Sequence, residues 1–230
     1  MTDIEFNLDW YKKFIRATNE KNILASKISE LIGNKEETCL EIGLGISPSF
    51  AKKLSKKFNK YIIVEKRIIK ENMPKEMQLI NADWEEVKIE EKFDIIIASH
   101  VIYYFKNKKN AVEKIINSLK QKGRAYFVVN GKSADYGPLK LFFSRLINTK
   151  YEFTYDKLIV LLKNRRIREY TVPSDISFLS YEDLFETMKL SFDTYPEEYE
   201  KFKKEILIYF KNNIRDNRFI IDQKIIEVQK

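Results

Sequence analysis

The stretch Glu37-Thr38-Cys39-Leu40-Glu41-Ile42-Gly43-Leu44-Gly45-Ile46-Ser47-Pro48 leaves the chain few choices of local structure. Leu40 and Ile42 are strand material. Gly43 and Gly45 stand where the backbone must turn sharply and where a ligand can approach with no Cβ in the way. Ser47 suits a helix N-cap and Pro48 a first helical residue. Between Pro48 and Phe58, the side chains Phe50, Ala51, Leu54 and Phe58 fall on one stripe, which predicts a helix lying on a sheet. The unit reads as strand, glycine loop, helix.

Two ligands commonly use that unit. A dinucleotide fingerprint G-x-G-x-x-G needs its third glycine at Pro48, which counts against NAD or FAD. Glu41, the acidic residue before the glycines, has no packing role and suits a cationic ammonium group. S-adenosylmethionine carries one. Glu65 lies twenty residues beyond Gly45 and closes a second apolar strand, Tyr61-Ile62-Ile63-Val64, where a carboxylate binds both ribose hydroxyls. Asp83, after a third strand around Gln78–Asn81, is placed to accept from an adenine amino group. Trp84 either stacks beside that ring or fills the edge of the core. The cofactor set expected from these positions is Glu41, Gly43, Gly45, Ser47, Glu65, Lys66, Asp83, Trp84, Ser99 and His100.

At 230 residues and 44% hydrophobic composition, one domain with appended elements is the expected size. The net charge of +8 invites a nucleic-acid reading. The basic residues are mostly lysines interleaved with glutamates, however, and Arg165-Arg166-Ile167-Arg168 is the one dense patch, so nucleic acid is not the expected partner. The single cysteine, Cys39, excludes an internal disulfide and reads as a buried strand residue. The start Met1-Thr2-Asp3-Ile4-Glu5 does not resemble a signal peptide, and no apolar run approaches membrane-spanning length, so a cytoplasmic location is expected. No metal-ligand pattern stands out.

Along the chain, helices are expected at Asp9 to Ala17 and at Asn19 to Ile32, the second stopped by Gly33. Together they form an N-terminal cover, with Glu20 at the bend either pointing inward or solvated. After Glu65 comes a helical or irregular connection with Pro74. The run Phe93-Asp94-Ile95-Ile96-Ile97-Ala98 is typical of a central parallel strand and delivers Ser99 and His100 to the crevice. Val101-Ile102-Tyr103-Tyr104-Phe105 is too aromatic for a plain surface turn. A helix from Asn110 to Leu119, a turn at Gly123 and a fifth strand, Ala125 to Asn130, complete an alternation that predicts a parallel, doubly wound α/β sheet. Beyond a loop over 131–138, which contains Tyr136, short helices are expected through Leu146 and at Thr154 to Asn164. A strand follows at Ile167 to Val172, then a helix from Pro196 to Phe210 and a closing strand from Phe219 to Val228.

The order of glycine loop, Glu65, Asp83 and the strand into Ser99-His100 resembles class I S-adenosylmethionine-dependent methyltransferases over residues 37 to 130. That resemblance implies a Rossmann-like seven-stranded sheet with helices on both faces. Tyr11 to Glu20, His100 to Phe105 and the final strand also resemble histamine N-methyltransferase and its relatives. Carried across residue by residue, this second resemblance makes Glu20 a substrate-binding carboxylate and places Tyr103 and Tyr104 on an aromatic pocket wall. It also puts His100 where that family has a glutamine, a departure that bears on histamine itself.

Methyl transfer from a sulfonium is an in-line displacement governed by placement and exclusion of water. An amine must be neutral to attack, so a proton acceptor is wanted, and His100 is the candidate by type and place. It serves equally as a contact to backbone or cofactor. The expectation is methylation of a small molecule at an amine nitrogen, with Glu20, His100 and Tyr103 catalytic and Glu20, Tyr103, Tyr104 and Tyr136 around the substrate. Two alternatives are an RNA methyltransferase and a non-catalytic S-adenosylmethionine-binding or partner-binding module.

Overall fold

The computed structural model describes residues 7–45, 47–67 and 77–230; the connection expected around Pro74 lies outside them. A seven-stranded sheet has the order β3-β2-β1-β4-β5-β7-β6, formed by β1 (Glu36–Ile42), β2 (Phe58–Glu65), β3 (Met77–Asn81), β4 (Phe93–Ser99), β5 (Leu119–Asn130), β6 (Arg166–Ser177) and β7 (Arg218–Gln229). Strands β1 to β5 pair in parallel. The last strand runs the other way beside β5: the Lys230 N–H donates to the Gly123 carbonyl and the Gly131 N–H to the Asp222 carbonyl. This is the Rossmann-like arrangement that the motif order implied.

The chain divides into two compact units. One comprises Lys21–Val129, Thr154–Val172 and Gln223–Lys230. Its parallel strands are apolar on both faces, so successive residues go to opposite layers. Leu40, Ile42, Ile62, Val64, Ile96 and Ala98 join α4 (Lys108–Asn117) and α6 (Thr154–Leu162). Cys39, Tyr61, Ile63, Ile95 and Ile97 join α2 (Glu20–Ile32) and α3 (Ser49–Leu54). Burial first, and then the Glu41 charge, push the Cys39 thiol up, as suits a packing residue and not a nucleophile.

Several boundaries differ from expectation. The helix read as Pro48 to Phe58 is only α3 plus a 3-10 turn at Ser55–Lys57, because Phe58 already opens β2. Pro48 is its N-cap and Ser49 its first residue, so the helix opens one residue later than expected, and Ser47 Oγ accepts from the Ser49 N–H at 3.4 Å. Gly123 does not turn the chain into β5. It sits within that strand where the register with β4 shifts, and a Cβ there would lie 2.9 Å from the Phe93 carbonyl oxygen. The amphipathic run after Pro196 is two helices, α8 (Pro196–Lys201) and α9 (Lys203–Asn213), with Phe202 between them.

The second unit comprises Met1–Glu20, Asn130–Phe153 and Pro173–Asp222, described from Asn7. It contains α1 (Leu8–Ala17), α5 (Tyr136–Leu146) and α7 (Tyr181–Met188). The last begins where Ser180 Oγ accepts from the Asp183 N–H and Asp183 accepts from the Leu179 N–H. Its core is aromatic: Tyr199 stacks on Phe185 and Phe192, each at 4.4 Å between centroids.

Lys140 on α5 is buried in that core at 6% exposure. Its ammonium lies 3.9 Å from the Phe192 ring centroid and donates to the Ser191 carbonyl. Burial lowers its pKa from 10.5 to about 7, against the pull of Asp193. The unfolded chain therefore binds a proton that the folded chain lacks over that window, and stability rises with pH from about 7 upward. Denaturation midpoints followed from pH 7 to 9 should show this rise in the wild type and a flatter profile in Lys140→Met. Identical slopes would remove Lys140 as the cause.

Candidate functional site

The carboxyl ends of β1 and β2 shape a loop around Gly43 and Gly45. The Gly43 N–H donates to the Val64 carbonyl at 2.8 Å, and both glycines have positive φ, 81° and 74°. A Cβ on Gly43 would lie 2.2 Å from Val101 Cγ1, so glycine is required there by conformation and by space. Beyond it the Leu44 and Gly45 N–H groups both donate to Glu65 Oε2, at 2.9 and 3.1 Å. The other Glu65 oxygen accepts from the Arg67 N–H and Nε at 3.0 and 3.2 Å. The loop's carbonyls have a partner of opposite sign: Lys21 Nζ donates to Leu44 and Ser47 at 3.3 and 3.2 Å.

Glu41 is 2% exposed and accepts from the Tyr61 hydroxyl at 2.6 Å. Burial raises its carboxyl to about 7; the Tyr61 hydrogen bond and the Lys21 charge oppose that rise, while Glu65 adds to it. At the neighbouring strand ends, Asn81 Nδ2 donates to the Glu65 carbonyl at 2.9 Å and Lys66 pairs with Asp83 at 2.9 Å. Partial burial pushes Asp83 up, but the Lys66 ammonium and the Glu85 N–H outweigh it and hold the carboxyl below the usual carboxylate range.

Trp84 takes the second of its two expected roles. It is 3% exposed within the core, its indole N–H donates to the Ala111 carbonyl at 3.3 Å, and the Lys114 ammonium lies 4.5 Å from its ring centroid. A ring so enclosed has no face left for an adenine.

Strand β4 ends at Ser99, and the chain then bends through His100, a non-glycine residue with φ of 55° whose N–H donates to the Val128 carbonyl at 3.0 Å. That bend sets the imidazole parallel to Tyr103, with 6.0 Å between centroids and 10° between planes. Tyr104 meets Tyr103 edge-on and is exposed. Lys108 fastens the turn by donating to the Tyr103 and Phe105 carbonyls at 3.2 and 2.9 Å. Among the described residues, no group of three or more His, Cys, Asp or Glu side chains is placed to hold a metal ion.

Glu20 and Tyr136 belong to the other unit. Glu20 is buried at 6% exposure, so the solvated reading of this helix-start carboxylate does not hold. It follows Asn19, which is tied to β6 through the Asp175 backbone and side chain, and its own N–H donates to Thr18 Oγ1 at 3.2 Å. Tyr136 opens α5 instead of lying in a loop; it too is buried, 5.6 Å from the Lys140 ammonium.

A family model described as a methyltransferase domain matches residues 14–186, three quarters of the chain. The chain belongs to this methyltransferase-domain family. Solved structures agree on the fold. The methyltransferase is 14% identical to the N-methyltransferase NodS of Bradyrhizobium japonicum, solved with S-adenosyl-l-homocysteine, with 92% of this chain and 86% of that one covered and a TM-score of 0.53. It is 16% identical to a methyltransferase assigned to an antibiotic biosynthesis pathway of Anabaena variabilis, over 89% and 96% of the chains, with a TM-score of 0.61. A precorrin 8W decarboxylase of Methanobacterium thermoautotrophicum is 9% identical over 89% and 88%, with a TM-score of 0.51. No curated protein matches the sequence. Neighbours named for such different reactions share an architecture, so the fold does not specify the acceptor.

Three groups in the methyltransferase's loop region were not singled out from the sequence: Lys21, Tyr61 and Arg67. Each comes from an element other than the glycine loop, so spacing within the motif carries no sign of them.

Gly43→Ala should cost about 2 kcal/mol, because an L side chain is strained at this φ and its Cβ overlaps Val101. Adding Val101→Ala should recover only the overlap, leaving the double variant between wild type and Gly43→Ala in urea denaturation. Wild-type stability in Gly43→Ala would contradict this account of the loop.

Proposed function

We propose that this methyltransferase methylates a small molecule, at an amine nitrogen, using S-adenosylmethionine as its cofactor. The observation that carries the cofactor side is the set of carboxylate acceptors at adjoining strand ends. Glu41 is a dry carboxylate suited to an ammonium group, Glu65 a carboxylate suited to ribose hydroxyls, and Asp83 an ionised acceptor suited to an exocyclic amine. Gly43 and Gly45 let the backbone approach the ligand. Lys66 holds Asp83, and Ser47 and Ser99 border the same loops. Glu65 is already engaged by four N–H donors, so ribose hydroxyls share it with, or replace, the Arg67 side chain. Bound there, S-adenosylmethionine supplies an electrophilic methyl group on a sulfonium.

The acceptor side rests on the His100–Tyr103 stack, with Tyr104 beside it, at the end of the central strand. Tyr103 offers a flat aromatic wall that favours a cation and excludes water. His100 takes the proton that an ammonium must lose before its nitrogen can attack. Glu20 is a buried carboxylate of the kind that matches an ammonium substrate, and Tyr136 is a buried phenol at the start of α5, the helix that follows β5. The likeness of Tyr11 to Glu20 and of His100 to Phe105 to histamine N-methyltransferase supports an amine, while the histidine at position 100 argues for an amine other than histamine. The RNA reading has the net charge of +8 behind it, but lysines such as Lys12, Lys27, Lys60 and Lys189 are paired with neighbouring carboxylates.

Methyl incorporation from labelled S-adenosylmethionine into a panel of primary and secondary amines tests the reading. His100→Ala should lower turnover by about 10²-fold, and Glu20→Gln should raise the acceptor's KM far more than the cofactor's. Incorporation into structured RNA, with binding that weakens steeply in salt, would overturn the small-molecule assignment.

A further inference from the structure

Glu41 lies on β1 with Ile63 on one neighbouring strand and Ile97 on the other as its register partners, an apolar setting for a carboxylate. Its hydrogen-bond donor is Tyr61, a phenol from β2 that is itself 1% exposed and held on the same face. A tyrosine in a parallel strand that needed only bulk would serve equally well as phenylalanine. Here the hydroxyl ends 2.6 Å from the carboxylate that the cofactor reading assigns to an ammonium group.

We propose that Tyr61 is a positioning residue for cofactor binding: its hydroxyl aims the Glu41 carboxylate and favours its ionised form, and binding of the cofactor's ammonium group is coupled to loss of a proton from Glu41. The inference rests on the assignment of Glu41 to that ammonium group.

Burial favours the neutral acid at Glu41, and the carboxylate of Glu65 at the end of β2 adds to that preference. The Tyr61 hydroxyl and the Lys21 ammonium on α2 oppose it, while the Cys39 thiol, two residues earlier on β1, is neutral and shares the Tyr61 hydroxyl. The balance leaves Glu41 titrating near neutrality, where neither form dominates. An incoming ammonium adds the attraction that completes ionisation, and the proton leaves to solvent. Affinity therefore rises with pH through neutrality, until the ligand's own α-amino group begins to lose its proton near pH 8. Without the Tyr61 hydroxyl, the neutral acid is favoured further and the rising limb moves to higher pH.

S-adenosylhomocysteine carries the same amino group and transfers nothing, which makes it the probe. Calorimetry at pH 7 in two buffers of different ionisation enthalpy should show release of roughly half a proton in the wild type and close to none in Glu41→Gln. Tyr61→Phe should bind several-fold more weakly at pH 6.5, and the difference should narrow by pH 8, with a thermal midpoint showing that the variant is folded. Zero proton release by the wild type, or a Tyr61→Phe loss that is the same at every pH, overturns the inference while leaving the cofactor assignment standing. Wild-type affinity in Glu41→Gln, or no binding by the wild type, overturns the assignment of Glu41 and the inference with it.

Discussion

Glu65 Oε2 accepts from the Leu44 and Gly45 N–H groups, and the loop between β1 and α3 takes its shape from that pair of bonds. Backbone donors released at the end of a buried strand must find partners, and a carboxylate satisfies two with one oxygen. The parallel pairing of β1 with β2 brings it there: Ile42 sits opposite Val64, and the next residue on each strand is Gly43 or Glu65. Left-handed φ at both glycines turns the amides toward the carboxylate, while Lys21 holds the carbonyls facing the other way. The other Glu65 oxygen is held by Arg67, through its N–H and its side chain reaching back across two residues.

Two carboxylates in one site are thus given opposite characters. Glu65 accepts from four N–H donors, of Leu44, Gly45 and Arg67. Glu41 has a phenol and apolar strands around it, and burial lifts its carboxyl to about 7. In the proposed reading the first anchors neutral hydroxyls and the second gains from a cation. On that proposal the cofactor's polar ends are recognised separately within one strand–loop–strand segment. At the third strand end, Asp83 is kept ionised by Lys66 and by a backbone N–H.

What the sequence made legible is what lies along one strand and its exit. Glu41, Gly43, Gly45, Glu65 and Asp83 could be placed because strand ends in a doubly wound sheet share an edge, and β3 and β4 were legible as apolar runs. Trp84 was ambiguous because an indole suits a core and a ligand face equally; only packing decides. Helix α7 escaped notice although Ser180 and Asp183 carry its capping signal, because eight residues hold only two turns of its apolar stripe. Gly123 looked like a turn because a glycine before a strand resembles one within a bulge until its register partner is known. Lys21, Tyr61 and Arg67 are tertiary partners, and no spacing rule within the glycine loop points to them.

The most direct test is a titration of isotopically labelled protein with S-adenosylhomocysteine, followed by amide resonances. Leu44, Gly45, Glu65, Lys66 and Asp83 should show the largest shifts, and Glu65→Gln should lose both those shifts and most of the affinity. Saturable binding whose shifts fall elsewhere, with Leu44 and Gly45 unmoved, would contradict the account.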